Sequence, residues 1–164
     1  MKLLKIALIF TQITFALNIK APNFSPNVDK KYVYKLCGGK NLSPKIIIKD
    51  IPKEAKSLAV TIFDPDAPRV DGWWHWAAFN LPLSNEIKEG IKANEFLQLK
   101  NDYGNFGYGG PCPPPDKAHR YIVTVYALKD KVSFSKTTPI KKALESIKPL
   151  IIKKAQIVGK YGRN

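Results

Sequence analysis

Two uninterrupted apolar runs constrain the fold of this chain more than any other feature. Residues 57–63 read SLAVTIF, and residues 121–128 read YIVTVYAL. Both runs have the length of a strand, are rich in β-branched and aromatic side chains, and show little polar alternation. Such runs are typical of strands that are buried on both faces, and we expect these two strands to be buried in this way.

Four further runs have the length and composition of strands and are separated by Pro, Gly and Asp. They cover residues 31–36, 45–49, 74–81 and 155–161. A helical period occurs in only one segment, which follows residue 137. The chain is therefore predicted to be mainly β.

One segment has a helical period. Thr138 is the expected N-cap, and Pro139 would occupy the first helical position. The side chains predicted to share the buried face are Ile140, Ala143, Leu144 and Ile147. Pro149 is expected to end or kink this C-terminal helix.

The N-terminus has the pattern of an export signal. Lys2 and Lys5 precede a mostly apolar run over residues 6–15, which is too short and too interrupted to span a bilayer comfortably. We expect residues 1–16 to be a signal peptide and residues 17–164 a single domain, exported to the periplasm or secreted, with no transmembrane span. The alternative is a buried N-terminal strand or helix.

The chain has two cysteines, Cys37 and Cys112. An even number of cysteines is common in exported proteins. A bridge between them would close a loop of about 75 residues and contribute roughly 4 kcal/mol in the chain-entropy model. The alternative is two separate buried thiols.

The net charge of +14 arises from 27 Lys and Arg against 13 Asp and Glu. A field of this sign attracts anionic partners. Only three of the cations are arginines, Arg69, Arg120 and Arg163, the last of which is expected to be exposed. Because specific recognition of nucleic acids depends strongly on arginine, and the lysines are scattered along the chain, no nucleic-acid partner is expected.

Two long irregular stretches carry polar motifs. Residues 64–68 read DPDAP and lead to GWWHW at residues 72–76. Residues 103–115 read YGNFGYGGPCPPP and lead to DKAHRY at residues 116–121. The glycines allow close approach of a ligand to the backbone, but no helix follows to bind a nucleotide phosphate. Each motif alone is compatible with turn chemistry or a structural histidine.

Taken in order, these motifs and CGGKNLSP at residues 37–44 resemble the phosphatidylethanolamine-binding protein family, and in particular its bacterial Raf-kinase-inhibitor-like branch. The resemblance implies two packed antiparallel sheets with a small anion pocket near one edge. The residues that it implies line or support this pocket are Asp64, Asp66, His75, Gly110, Pro111, His119 and Tyr121. Asp64 and Asp66 are expected to orient His75 and the loop, or to meet an ammonium headgroup, and the two imidazoles to favour the protonated form.

The predicted function is binding of a phosphate-type anion, such as a phospholipid headgroup or a phosphorylated group, with a kinase or protease as a partner that this binding modulates. No enzyme activity, cofactor or metal is expected. The alternative is a hydrolytic enzyme that uses a metal or a Cys112–His119 pair. Neither dense metal-ligand spacing nor a GxSxG nucleophile motif occurs in the sequence.

Overall fold

The computed structural model describes residues 16–115 and 117–163, whose strands form two antiparallel sheets. The strands are β1 (Asn18–Lys20), β2 (Ile46–Lys49), β3 (Ser57–Asp64), β4 (Trp73–Leu81), β5 (Glu86–Ile87), β6 (Leu97–Gln98), β7 (His119–Leu128) and β8 (Ile151–Tyr161). The smaller sheet has the order β1-β2-β5, and the larger has the order β6-β4-β3-β7-β8. This mainly β architecture with two antiparallel sheets confirms the predicted fold class.

The expectation that both apolar runs are buried on both faces is confirmed for β3 and holds only in part for β7. β3 lies between β4 and β7, and only Phe63 of its residues is not fully buried. β7 buries one face completely, whereas on its other face Arg120 is exposed and Tyr126 is half-buried. The eight-residue helix on that side is about 12 Å long, so it covers only part of the strand.

The larger sheet separates two hydrophobic cores. Side chains alternate between the faces of a strand, so Leu58, Val60 and Ile62 of β3 pack toward the smaller sheet, and Ala59 packs toward the helix. The core between the two sheets is the more extensive one. The candidate site described below lies at the end of this inter-sheet face.

Helix α1 (Ile140–Ile147) has the predicted buried face but a different N-cap. Pro139, not Thr138, is the N-cap, because its backbone is extended and its carbonyl accepts the first helical hydrogen bond, from the Ala143 N–H at 3.0 Å. The helix ends at Ile147, two residues before Pro149, which lies in a 3₁₀ turn.

Residues 31–36 were expected to form a strand, and this prediction is wrong. The segment contains two 3₁₀ turns, Lys30–Tyr32 and Lys35–Cys37. The Asp29 carboxylate caps the first turn by accepting from the Lys31 N–H at 2.8 Å. A local hydrogen bond of this kind competes with strand pairing. The aromatic side chains that suggest a strand pack individually instead of alternating between the two faces of a sheet.

The predicted export signal and the predicted absence of a membrane span concern different parts of the chain. The predicted signal peptide, residues 1–16, lies outside the described residues except for Ala16. Among the residues that are described, no helix is both long enough and apolar enough to cross a membrane.

Candidate functional site

A cavity of about 290 Å³ lies where four strands of the larger sheet begin or end. β3 ends there, β4 and β7 begin there, and β8 ends close by, because neighbouring strands in this sheet are antiparallel. The residues that line it are Asp64, Ala67, Pro68, Trp73, His75, Tyr103, Cys112, Pro113, Pro114, His119, Tyr121 and Arg163. Four of the seven residues predicted for the pocket, Asp64, His75, His119 and Tyr121, are therefore brought together.

Strand alternation places three of these side chains on one face. Asp64 continues the inter-sheet face of β3, and His119 and Tyr121 continue the same face of β7. At this end of the sheet, polar side chains that line the cavity replace the apolar pattern of the core.

A β-bulge in β4 aims His75 into the site. Ile62 of β3 is opposite Trp76, and Phe63 is opposite Trp74, so His75 is an extra residue in the pairing. As a result Trp74 packs toward the helix, whereas both His75 and Trp76 face the inter-sheet side. Without this bulge, simple alternation would place His75 on the helix side of the sheet.

Asp64 holds His119 in place. Its Oδ2 lies 2.8 Å from His119 Nδ1, and the two residues are only 3% and 2% exposed. Its Oδ1 accepts from the backbone N–H of Asp66 at 2.8 Å. Both carboxylate oxygens therefore bond within the protein. The expectation that Asp64 orients His75 is wrong; Asp64 orients His119 and the loop that follows β3.

His75 is held by a backbone carbonyl instead. Its Nδ1 lies 2.6 Å from the Gly109 carbonyl oxygen, which cannot donate, so the Nδ1–H donates. Burial lowers the pKa of His75 to about 4, and this effect exceeds the opposing effects of the Gly109 carbonyl and of Asp64. The expectation that both imidazoles are protonated is thus wrong for His75, which is neutral at neutral pH and carries a lone pair on Nε2.

Asp66 supports the site without lining the cavity. The guanidinium of Arg120 binds it through both carboxylate oxygens, at 2.8 and 2.9 Å, and the Arg120 backbone N–H adds a third hydrogen bond at 2.9 Å. These bonds hold the pKa of the Asp66 carboxyl well below its usual range. Asp66 therefore ties the loop after β3 to the start of β7.

Gly110 and Pro111 also lie behind the cavity wall. The Gly110 N–H donates to the Asn41 side-chain oxygen at 2.7 Å, and the Pro111 carbonyl accepts from the Tyr34 N–H at 3.0 Å. A Cβ atom on Gly110 would lie 2.0 Å from the carbonyl oxygen of Tyr32. Only glycine fits this contact, so the loop packs directly against the 30–34 segment.

Two buried donors on the cavity wall have no hydrogen-bond partner among the described residues. They are the Tyr121 hydroxyl and the Trp73 indole N–H. Burial raises the pKa of Tyr121 far above its ordinary value, so the hydroxyl keeps its proton. Buried polar groups without a partner are costly and uncommon. Both residues line the cavity, so these two donors lie beside it.

Sequence reasoning missed several lining residues. Trp73 lies two positions before His75 in the sequence, and residues two apart in a strand lie on the same side. This spacing could have identified Trp73 as a lining residue. Tyr103 packs edge-on against His75, with ring centroids 5.7 Å apart. Arg163 was expected to be exposed, but it lines the cavity, and its Nε donates to the Pro113 carbonyl at 2.6 Å. No local pattern links it to that loop.

The predicted disulfide between Cys37 and Cys112 is confirmed, with 5.6 Å between the two Cα atoms. Cys112 lines the cavity, so the bridge joins the cavity wall to the N-terminal segment. A thiol nucleophile at Cys112 is therefore wrong, because its sulfur is already bonded. Within residues 16–115 and 117–163, no three His, Cys, Asp or Glu side chains gather as a metal site would require.

Comparison with known sequences identifies relatives along nearly the whole described chain. The family model for phosphatidylethanolamine-binding protein matches residues 17–162. A UPF0098 protein of Chlamydia trachomatis serovar D is 36% identical over 153 residues, which cover 90% of this chain and 99% of that protein. The UPF0098 protein YbhB of Escherichia coli K12 is 43% identical over 97 residues, or 55% of this chain and 61% of YbhB. The chain thus spans less than two thirds of the length of YbhB.

Solved structures have the same fold. Escherichia coli YbcL, described as a member of the mammalian PEBP family, superposes with a TM-score of 0.84 at 29% identity, covering 92% of this chain and all of that one. A phosphatidylethanolamine-binding protein homologue from Chlamydia trachomatis gives a TM-score of 0.81 at 35% identity, covering 91% and 99% of the two chains. The fold, the match of the family model and the relatives agree, and the chain belongs to the phosphatidylethanolamine-binding protein family.

Proposed function

We propose that the cavity binds a phosphate-type anion, either a phospholipid headgroup or another phosphorylated group, without turning it over. The observation that carries this proposal is the Tyr121 hydroxyl, which is fully buried, protonated and without a hydrogen-bond partner among the described residues. The Trp73 indole N–H is a second such donor. Both residues line the cavity, and two donors without a partner among the described residues suit the oxygens of a phosphate.

The charges around the cavity are compatible with an anion. Arg163 brings a guanidinium to the wall, where only its Nε is committed to the Pro113 carbonyl among the contacts of the described residues. The Asp64 carboxylate would repel a phosphate, but both of its oxygens already accept hydrogen bonds within the protein. Hydrogen bonding of this kind reduces the unfavourable field that a free carboxylate would present.

His75 favours a partly protonated ligand. Its Nδ1–H is committed to Gly109, so Nε2 is an acceptor while the ring is neutral. A phosphate that carries one proton, or a headgroup with a hydroxyl or ammonium, supplies the donor that this atom needs. The cavity volume of about 290 Å³ suits a headgroup and is small for a whole two-chain lipid.

The test is a titration of the protein with inorganic phosphate and with phosphoethanolamine, followed by NMR of the two imidazoles. We expect dissociation constants on the order of micromolar to millimolar. Tyr121→Phe should weaken binding by about tenfold, the cost of one hydrogen bond to a charged group. Tyr126→Phe is the matched control, since Tyr126 lies on the opposite face of the same strand and should not affect binding. His119→Ala should also reduce binding strongly.

Three outcomes would contradict the proposal. The first is that the imidazole signals stay unchanged at high phosphate. The second is that Tyr121→Phe and Tyr126→Phe bind phosphate equally while both remain folded. Alternatively, the wild-type protein hydrolyses a phosphoester and Tyr121→Phe does not, in which case the site is enzymatic.

We further propose that the phosphate of a phosphorylated side chain enters the same cavity and that the protein modulates a kinase or protease in this way. A phosphopeptide that competes with inorganic phosphate for the cavity would support this proposal. Failure of every phosphopeptide in a library to compete would contradict it.

We also propose that the protein is exported, with removal of residues 1–16. The support is the positively charged start before a short apolar run, together with the disulfide, which is typical of oxidising compartments. Intact-mass measurement on cell fractions is the test. A full-length chain found only in the cytoplasm would contradict export.

A further inference from the structure

One edge of the larger sheet lacks a neighbouring strand over part of its length. β8 is the last strand of that sheet, and β7 lies on one side of it. On the other side, residues 25–28 form hydrogen bonds only with the C-terminal end of β8, through the carbonyl of Val158 and the backbone of Lys160. Within the part of the chain that the structure describes, residues 152–157 have no hydrogen-bonded neighbour on that side. We call residues 152–157 the open edge of β8.

The backbone groups of the open edge point away from the sheet. The Lys160 N–H donates to the Pro26 carbonyl at 2.9 Å, and the Lys160 carbonyl accepts from the Val28 N–H at 3.0 Å, so both groups point away from β7. Alternate residues of a strand direct these groups to the same side, and the register of β8 with β7 is regular here. The backbone groups of Lys154 and Gln156 therefore point outward too, and neither residue has a backbone partner there among the described residues. Such an edge is a template for an added strand.

A hollow of about 240 Å³ lies beside the open edge. Its lining is mostly apolar and consists of Ile19, Lys20, Ala21, Pro22, Ser25 and Ile157. Ile157 is the residue that β8 contributes, and its side chain packs on the inter-sheet face. Residues directly opposite each other in adjacent strands have their side chains on the same face. A residue paired with Ile157 would therefore direct its side chain toward the hollow, where an aliphatic group fits the lining.

The side chains around the open edge carry positive charge. Lys153 and Lys154 lie within it and are exposed, and Lys20 lines the hollow. None of these three lysines forms an ion pair with a carboxylate of residues 16–115 or 117–163. Lysines on an edge strand oppose pairing with a second copy of the same edge, because like charges would lie close together. The same lysines favour a strand that carries carboxylates.

We propose that the open edge of β8 binds an extended acidic segment of a partner protein, which adds to the larger sheet as a sixth strand. The backbone of this segment bonds to Lys154 and Gln156, and one aliphatic side chain occupies the hollow beside Ile157. Its carboxylates lie on the other face of the sheet, near the Lys154 ammonium group. No residue of the open edge lines the anion cavity, so the inference does not rest on the function proposed above.

The experiment is calorimetric titration at low salt with a short blocked peptide in which glutamate and valine alternate. We expect a dissociation constant on the order of 10 to 100 micromolar. A peptide of the same composition with its glutamates grouped together has the same charge but no alternation, and it should bind at least about tenfold more weakly. Only every second N–H of an added strand faces β8. Methylation of the backbone nitrogens in one alternating set of residues should therefore abolish binding, whereas methylation of the other set should leave it nearly unchanged.

Variants of the protein test the same contacts. Lys154→Pro removes an outward N–H at an edge position where proline is tolerated, and Lys154→Gln removes only the charge. We expect Lys154→Pro to bind the peptide about fivefold more weakly than Lys154→Gln, the effect of one backbone hydrogen bond. The double variant Lys153→Glu, Lys154→Glu should bind the acidic peptide about tenfold more weakly than wild type and should bind a peptide with lysine in place of glutamate.

The matched control is the double variant Lys100→Glu, Lys136→Glu, which changes the net charge by the same amount. Both residues are exposed, and the Lys100 N–H donates to the Lys136 carbonyl at 3.2 Å. Lys100 follows β6, the strand at the opposite edge of the sheet from β8. This variant should bind the acidic peptide nearly as well as wild type.

Several results would overturn the inference. If the grouped and the alternating peptides bind equally, or if the two double variants weaken binding equally, the attraction is to the net charge and not to the open edge. If the two methylated peptides bind equally, the peptide does not add as a strand; this comparison uses the wild-type protein and so holds even if Lys154→Pro does not fold. If sedimentation reveals a dimer that Lys154→Pro dissociates, the open edge binds a second copy of this chain, and the assignment to an acidic segment is wrong.

Discussion

The buried His75 should make the stability of the protein fall in mild acid. Its side chain is 2% exposed, and burial lowers its pKa from 6.5 to about 4, although the Gly109 carbonyl and Asp64 oppose that effect. In the unfolded chain the imidazole is solvated and takes up a proton near its ordinary pKa. Between the two values the unfolded state therefore binds more protons than the folded state.

The sign and the size follow from this difference. Where the unfolded state binds more protons, the free energy of unfolding rises with pH. The stabilisation is thus fully present above about pH 6.5 and is lost as the pH falls toward about 4. Each unit of pKa difference corresponds to about 1.4 kcal/mol, so the loss attributable to His75 is about 3 kcal/mol.

Urea unfolding at about pH 7 and about pH 4 measures this loss when wild type is compared with His75→Asn. The Asn amide can still donate to the Gly109 carbonyl but does not titrate. Whatever its unfolding free energy at each pH, the decrease between the two pH values should be about 3 kcal/mol smaller than that of wild type. The carboxylates titrate in both proteins, so their contribution cancels in the comparison.

Equal pH dependence in the two proteins would refute this reasoning. An NMR titration of His75 in the folded protein is an independent check, because its pKa should lie well below the ordinary value of 6.5. A folded-state pKa near 6.5 would mean that burial does not disfavour the charged ring, and the stability argument would fail.

Three further predictions concern the framework of the site. Replacing Cys37 and Cys112 together by Ser should lower the free energy of unfolding by about 4 kcal/mol, measured in urea, and an unchanged value would show that the bridge does not restrict the unfolded chain. Asp64→Ala should cost about 3 kcal/mol in the same assay and weaken phosphate binding, since it removes the partner of a buried imidazole; a decrease below about 0.5 kcal/mol would contradict this. Gly110→Ala should cost at least about 2 kcal/mol, because the new Cβ would lie 2.0 Å from the Tyr32 carbonyl oxygen, and a normal melting temperature would show that the two segments separate easily.

The local pattern of the sequence was sufficient for the elements that depend on burial and period. The apolar runs of β3 and β7 had to be buried wherever they were placed, and the spacing of Ile140, Ala143 and Ile147 could form an apolar face only on a helix. The motifs also identified Asp64 and His119 as members of one site. Local pattern failed at residues 31–36, where the segment forms 3₁₀ turns, the first capped by Asp29, and bonds to the Pro111 carbonyl far along the chain.

By itself, then, the sequence determined the fold class and the family, because these depend on period, composition and the order of motifs. The tertiary structure decided the chemistry of the site. The bulge in β4 selected the face on which His75 lies, and burial made that imidazole neutral. Long-range packing left the Tyr121 hydroxyl without a partner among the described residues and brought Arg163 to the wall. Each of these properties depends on atoms far apart in the chain, and a local pattern carries no information about such distances.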